Sequence, residues 1–217
     1  MKKVFKLLVL SSVLIYSSKS IAQTFGVKGG LNLTNMVVKA DSKTLSEDFK
    51  MNPGFHLGAT AEFPINDMFA FESGLLISTK GYKIVDEEGD YKSEGKLNLT
   101  YLDIPLTAKA SFEAGSAKIF GLFGPYVGLG LTGKSKYTVT SDDEKETEEE
   151  DVKWGSDKEK SDFKRLDYGL SIGAGLEINS LTFGLNYNLG MANIIPNTVV
   201  TANNRVIAVS VGYKFGK

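Results

Sequence analysis

Apolar and polar residues alternate with a period of two along most of the chain after residue 24. Phe25, Val27, Leu31 and Leu33 alternate with Gly26, Lys28, Gly30 and Asn32. The same pattern runs through 55–63, 69–78, 165–178, 181–190 and 206–215. A period of two sustained over so many residues is a strand signal. Two further segments read as strands with less regular faces. In Leu97–Lys109 the apolar phase switches: Leu97, Leu99 and Tyr101 share one phase, and Leu102, Ile104, Leu106 and Ala108 share the other. A bulge near Tyr101, or extension of the strand above a membrane, would produce that switch. Pro105 lacks an N–H, so the ladder should be irregular there. In Ile119–Leu131 both phases hold aromatics and glycines, and neither face is assigned. Eight strands are expected.

The connections alternate in length. Short ones follow the second, fourth and sixth strands, at 64–67, 111–117 and 179–180. Long ones follow the first, third, fifth and seventh, at 35–52, 83–95, 133–164 and 192–204. All long loops therefore leave from one rim. That is the pattern of a transmembrane barrel with short periplasmic turns and long extracellular loops. The expected fold class is all-β: an eight-stranded antiparallel up-and-down transmembrane β-barrel, with both termini on the short-turn side. The competing arrangement is a soluble barrel with the apolar face inward. The polar phase is rich in Gly, Ser, Thr and Asn, unlike a solvated face. The strands are also close to the roughly 9–11 residues of a tilted span. Both observations favour the membrane form. Aromatics such as Phe25, Phe63, Phe69, Tyr187 and Phe215 lie near strand ends, as in interfacial girdles.

The N-terminus carries an address. Lys2, Lys3 and Lys6 precede the mainly apolar Leu7–Tyr16, and Ser20-Ile21-Ala22 offers small residues at a cleavage site. This is a secretory signal peptide over 1–22, leaving 23–217 as one barrel domain. An N-terminal membrane anchor is the weaker alternative, because the apolar run is too short to span. Removal of four lysines leaves 21 basic and 26 acidic side chains, a balance of −5. The absence of cysteine excludes disulfides, thiolate metal sites and a cysteine nucleophile. A net charge of −1 over 217 residues, with no basic patch, excludes a nucleic-acid binder.

Three groups could carry chemistry. His56 is the sole imidazole, and its phase places it inside the barrel near the outer rim. As a general base it would need a nucleophile and an orienting carboxylate. No second motif supplies them, so a packed interior side chain is expected, with a lipid hydrolase as the remote alternative. The second group is an interior cluster of Lys28, Glu62, Glu72, Asp103, Lys109, Arg165, Asp167 and Glu177. Eight strands leave an interior just wide enough for side chains to fill, so these charges should pair and plug it. The third is Asp142–Asp162, with eleven acidic residues and four lysines. It reads as a mobile, solvated stretch of the extracellular loop at 133–164. Bridging to lipopolysaccharide through divalent cations is a further possibility, though no Ca²⁺-loop spacing is present. Trp154 could pack on the rim or anchor a contact. No cofactor motif occurs: the Gly-rich segments at 26–30 and 169–175 lie on strands without a following helix.

Five segments together resemble the Bacteroidetes outer-membrane β-barrel family, the PorT-like or "porin family" barrels. They are Leu97–Leu106 with Lys109, Gly124–Gly128, Asp167–Glu177, Phe71–Leu75 with Lys80-Gly81, and Tyr187–Gly190. The resemblance covers essentially the whole mature chain. It implies a barrel of OmpA/OmpX-like shape and interior positions for Tyr101, Asp103 and Lys109. One departure is the C-terminus, where Phe215 is followed by Gly216-Lys217 instead of ending on an aromatic. The expected role is non-enzymatic, through extracellular loops in the Gram-negative cell envelope. The expected partners are outer-membrane lipid and lipopolysaccharide, the barrel assembly machinery and an unidentified envelope or extracellular partner. A monomer is expected. A small-solute or ion porin and a secretion-system accessory barrel are the alternatives.

Overall fold

The computed structural model describes residues 23–40, 43–88, 91–141, 144–196 and 199–215. The signal peptide expected at 1–22 lies outside them, as do Asp142, Asp143 and Gly216-Lys217. Ten strands are formed among the described residues: β1 (Thr24–Ala40), β2 (Lys43–Thr44), β3 (Asn52–Pro64), β4 (Phe69–Glu88), β5 (Tyr91–Ala114), β6 (Ala117–Ser141), β7 (Glu144–Asp151), β8 (Leu166–Ile178), β9 (Leu181–Gly190) and β10 (Val200–Phe215). Eight of them close a ring in the order β1-β3-β4-β5-β6-β8-β9-β10, sealed by antiparallel pairing of β10 with β1 from Phe25↔Phe215 to Ala40↔Val200. Closure leaves no edge, which a strand sheet in lipid requires. The other two, β2 and β7, pair only with the upper parts of β1 and β6.

The apolar phase faces outward. Leu31, Leu57, Leu75, Phe123, Ile172, Leu185 and Val209 are exposed, while Asn32, Glu72, Asp103, Asp167, Glu177 and Ser210 on the opposite phase are buried. This inverts a soluble barrel and settles the choice that periodicity left open. The short turns are tight. Asn179 and Gly115 take positive φ, 54° and 66°, as two-residue hairpin turns require.

Two irregularities have clear causes. Opposite Thr100/Tyr101 the register with β6 shifts, leaving Leu131 as an extra residue in β6. The bulge reverses the faces of β6: Phe120, Leu122 and Tyr126 point inward below it, and Gly133 points inward above it. In β5 the phase is not reversed. Leu97, Leu99, Tyr101, Asp103, Thr107 and Lys109 all face inward. The apparent switch of the apolar phase arises because β5 leaves the membrane, where an apolar cap replaces the polar lumen. Around Pro105 the ladder to β4 skips from Ser73↔Leu106 to Leu76↔Asp103.

The long loops are more regular than their composition suggests. β4 and β5 run on as a hairpin to residue 88, and the acidic stretch contributes strand β7, paired to β6 from Lys134↔Asp151 to Ser141↔Glu144. The mobile loop expected there is corrected over Glu144–Asp151. Alternate residues of a paired strand face opposite ways, so the like charges are split between two faces.

Candidate functional site

The lumen is the candidate site, and its side chains form three levels. At the end of the short turns Lys109, Glu62, Lys214 and Glu177 make a closed ring of ion pairs. Lys109 Nζ lies 2.7 Å from Glu62 Oε2 and 3.3 Å from Glu177 Oε2. Lys214 Nζ lies 2.8 Å and 2.5 Å from the same two oxygens. These residues come from β5, β3, β10 and β8, which are alternate strands of the ring, so each pair spans the strand between and the four together girdle the lumen. Lys109 also sits 4.5 Å from the Phe120 ring centroid. Just above, Lys28 Nζ meets Glu72 Oε1 at 2.5 Å. Glu62 and Glu72 are direct cross-strand neighbours. That like-charge contact is tolerated because each has its own lysine.

The middle level holds His56, only 6 % exposed. Its Nδ1 is 2.8 Å from Asn32 Oδ1. The Asn32 amide donates to Ser78 Oγ and to the Phe55 and Thr79 carbonyls, which fixes its oxygen toward the ring. A Cβ on Gly30 would lie 2.9 Å from His56 Cε1, so glycine there leaves space for the imidazole. A cavity of about 60 Å³ opens beside it, bordered by Lys28, Glu72, Asp103, Tyr126 and Ser210. It has room for a few water molecules. His56 is therefore interior but not at the rim: the third level lies between it and the outside.

In that third level Lys80 bridges two acids. Its Nζ is 2.8 Å from Asp103 Oδ1 and 2.9 Å from Asp167 Oδ2, and it lies 4.6 Å from the ring centroids of both Tyr101 and Tyr126. Tyr126 Oη and Asn204 Nδ2 also donate to Asp167 Oδ2. Lys80 is 1 % exposed and Asp167 0 %. Gly128 is required here, since a Cβ would lie 2.5 Å from Asp103 Oδ1. Tyr101 Oη, Asp167 Oδ1 and Asn204 Oδ1 are buried in this layer without a partner in the structure. Met36, Leu97, Leu99, Ile194 and Ala202 then cap the layer. Trp154 packs edge-on against Tyr101 at 5.6 Å, over Gly130, where any Cβ would collide with its ring. The indole is thus a rim-packing group.

Seven of the eight charges expected inside lie in these layers: Lys28, Glu62, Glu72, Asp103, Lys109, Asp167 and Glu177. Arg165 does not. It is exposed and donates to the Gly130 and Leu131 carbonyls, with its guanidinium 5.7 Å from the Trp154 ring. It precedes the first residue of β8, so the inward phase of Asp167 does not extend to it. Two interior lysines were missed. Lys80 shares the phase of Glu72 and Ser78, but lies just past the alternation read over 69–78. Lys214 lies on the polar phase of the last strand and could have been found there.

Chemically, nine charges crowd the lumen, four lysines against five carboxylates, and each ammonium is held by at least one carboxylate. Among the described residues no group of histidine and carboxylates is arranged to hold a metal ion.

Sequence comparison agrees with the architecture. No curated protein matches the chain. Solved structures with a similar chain path include Ail, the attachment invasion locus protein of Yersinia pestis, crystallised with the heparin analogue sucrose octasulfate. It has 18 % identity, covers 89 % of this chain and 99 % of its own, and gives a TM-score of 0.34. Neisserial surface protein A has 15 % identity, coverage of 88 % and 97 %, and a TM-score of 0.38. OprG from Pseudomonas aeruginosa has 14 % identity, coverage of 90 % and 97 %, and a TM-score of 0.39. Residues 18–196 match the family described as outer membrane protein beta-barrel domain. The chain belongs to that family.

Proposed function

We propose that this is a non-enzymatic barrel of the Gram-negative outer membrane, of the Bacteroidetes PorT-like group, exported by a cleaved signal peptide. It acts as a monomer and makes its contacts through the extracellular hairpins. The observation that carries this reading is the obstructed lumen. Two charged layers cross it, an apolar cap covers it, and the cavity between them holds only a few waters' worth of space. A porin needs a continuous aqueous path, and an eight-stranded barrel filled in this way offers none. A hydrolase reading is disfavoured by the surroundings of His56, whose ring nitrogen meets an amide oxygen instead of an orienting carboxylate. What remains free to meet partners is the extracellular sheet: the upper parts of β4, β5 and β6 with β7. The experiment is single-channel recording in a planar bilayer at high salt. Insertion without conductance steps is expected. Regular open steps would overturn the closed-lumen role in favour of the porin.

A further inference from the structure

We infer that the outward face of the extracellular sheet is a binding site for phosphate-bearing headgroups of the surrounding outer leaflet. The inference rests on the outer-membrane reading above. On three neighbouring strands the outward phase passes through the same order from apolar to small polar to lysine: Ile77, Thr79 and Lys83 on β4; Leu102, Thr100, Asn98 and Lys96 on β5; Leu131, Thr132, Lys134 and Lys136 on β6. The lysines therefore begin where the lipid-facing band ends.

They also line up across the strands. Lys83 is the direct partner of Lys96, and Lys96 of Lys136. Lys50 extends the row through an antiparallel bridge to Lys83. Four lysines at one height on four adjacent segments is a costly arrangement for a sheet, because like charges directly opposite repel. Glu94 relieves part of it, 2.9 Å from Lys83 and 2.7 Å from Lys96. Among the described residues Lys50 and Lys136 make no ion pair. Beside the row, a concavity of about 220 Å³ is lined by Lys92, Lys96, Lys136, Lys145, Thr138 and Thr140, with Glu94 as its one acid. Ammonium and hydroxyl groups around such a hollow match the oxygens of a phosphate. On β7 the lysine face meets Glu149 and Asp151, opposite Lys136 and Lys134, and Glu149 pairs with Lys134, while Glu144, Glu146, Glu148 and Glu150 lie on the other face.

The location selects the ligand. A soluble anion could reach any exposed lysine, whereas this row stands at the height of the headgroups and on the side that faces them. An interfacial lysine beside anionic lipid contributes about fivefold to binding.

The test uses the full mature chain in nanodiscs of neutral phosphatidylcholine doped with either a bisphosphorylated lipid A or its dephosphorylated form. Lipid retained after delipidation with detergent is counted. The triple variant Lys50→Gln, Lys136→Gln, Lys145→Gln leaves both Glu94 ion pairs in place. Preference for the phosphorylated lipid in the native chain, reduced about tenfold or more in the variant and by added salt, supports the site. Equal retention of both lipids by a folded, inserted barrel overturns it while leaving the outer-membrane reading intact. Inorganic phosphate that protects the row from amine labelling as well as the lipid does would overturn the lipid assignment. Failure to insert into either nanodisc overturns both.

Discussion

Lysines occupy two regions of this molecule under opposite conditions. In the lumen each is at least half-buried and held by carboxylates from other strands, so that Lys80 is flanked by Asp103 and Asp167. Above the membrane they stand in a row open to solvent on one side, with Glu94 shared between Lys83 and Lys96 and Glu149 paired to the neighbouring Lys134, so that acids are fewer than lysines. The strands run on from one region into the other, and apart from the bulge at Leu131 of β6 the period of two is kept. What changes is the medium on each side of the sheet. Within the membrane, charge can survive only inward and only paired. Above it, water screens the repulsion, and the outward face is free to carry unmatched charge. Local pattern therefore fixes which residues share a face, while height along the strand decides what that face must contain.

The sharpest way to break the comparison is to unpair the lumen. Lys80→Met leaves Asp103 and Asp167 facing each other without a counter-charge, and should cost about 3–5 kcal/mol of stability. Urea titration of the folded, fast-migrating band on unboiled gels measures it. Neutralising both acids as well, with Asp103→Asn and Asp167→Asn, should recover most of the loss. Next in size is Trp154→Ala. It removes the indole that seals Tyr101 and should loosen the cap by about 2–3 kcal/mol. Amide exchange should rise at the cap while the short-turn half of β8 stays protected. Lys109→Met should be milder, about 2 kcal/mol, because Lys214 still contacts both Glu62 and Glu177.

The smallest effect belongs to the upper region. The Lys96 and Lys83 ammonium groups hold the Glu94 carboxyl down to about 2 from a normal value of 4.5. The carboxylate is favoured in the folded state. Its stabilisation is full above pH 4.5, and falls away as the pH drops from there through about 2. Since the pair is largely exposed, screening limits it to less than about 1 kcal/mol. Carboxyl chemical shifts followed between pH 6 and 2 would give the midpoint. A midpoint near 4.5 would mean that the lysines do not hold Glu94.

The eight strands, their alternating turns and the inner charges were legible because a membrane barrel repeats one rule on every strand. Lys28, Glu62, Glu72, Asp167 and Glu177 follow directly from phase. The failures occur where that rule ends. Arg165 was assigned inward by extending a phase one residue before its strand begins. Lys80 was passed over because the alternation read for its strand stopped at Ser78, short of the connection at 83. The faces of Ile119–Leu131 could not be assigned because inward Phe120 and Leu122 are as apolar as their outward neighbours; lumen packing against Lys109 places Phe120 there. The acid run could not be read as a strand from composition, since its pairing partner, residues 134–141 of β6, supplies the order. Nothing in the local sequence indicates that four lysines from separate segments meet at one height. Register alone brings them together.

The central claim is that the apolar phase meets lipid and the polar phase fills the lumen. The chain contains no cysteine, so one introduced thiol is unique. Spin labels placed singly at positions 207 to 211 of β10, in vesicles, report lipid contact through oxygen broadening and water contact through a soluble nickel complex. The structure predicts oxygen-sensitive labels at 207, 209 and 211 and oxygen-protected ones at 208 and 210, which face the cavity beside His56. The reverse phase, or no alternation, would contradict it.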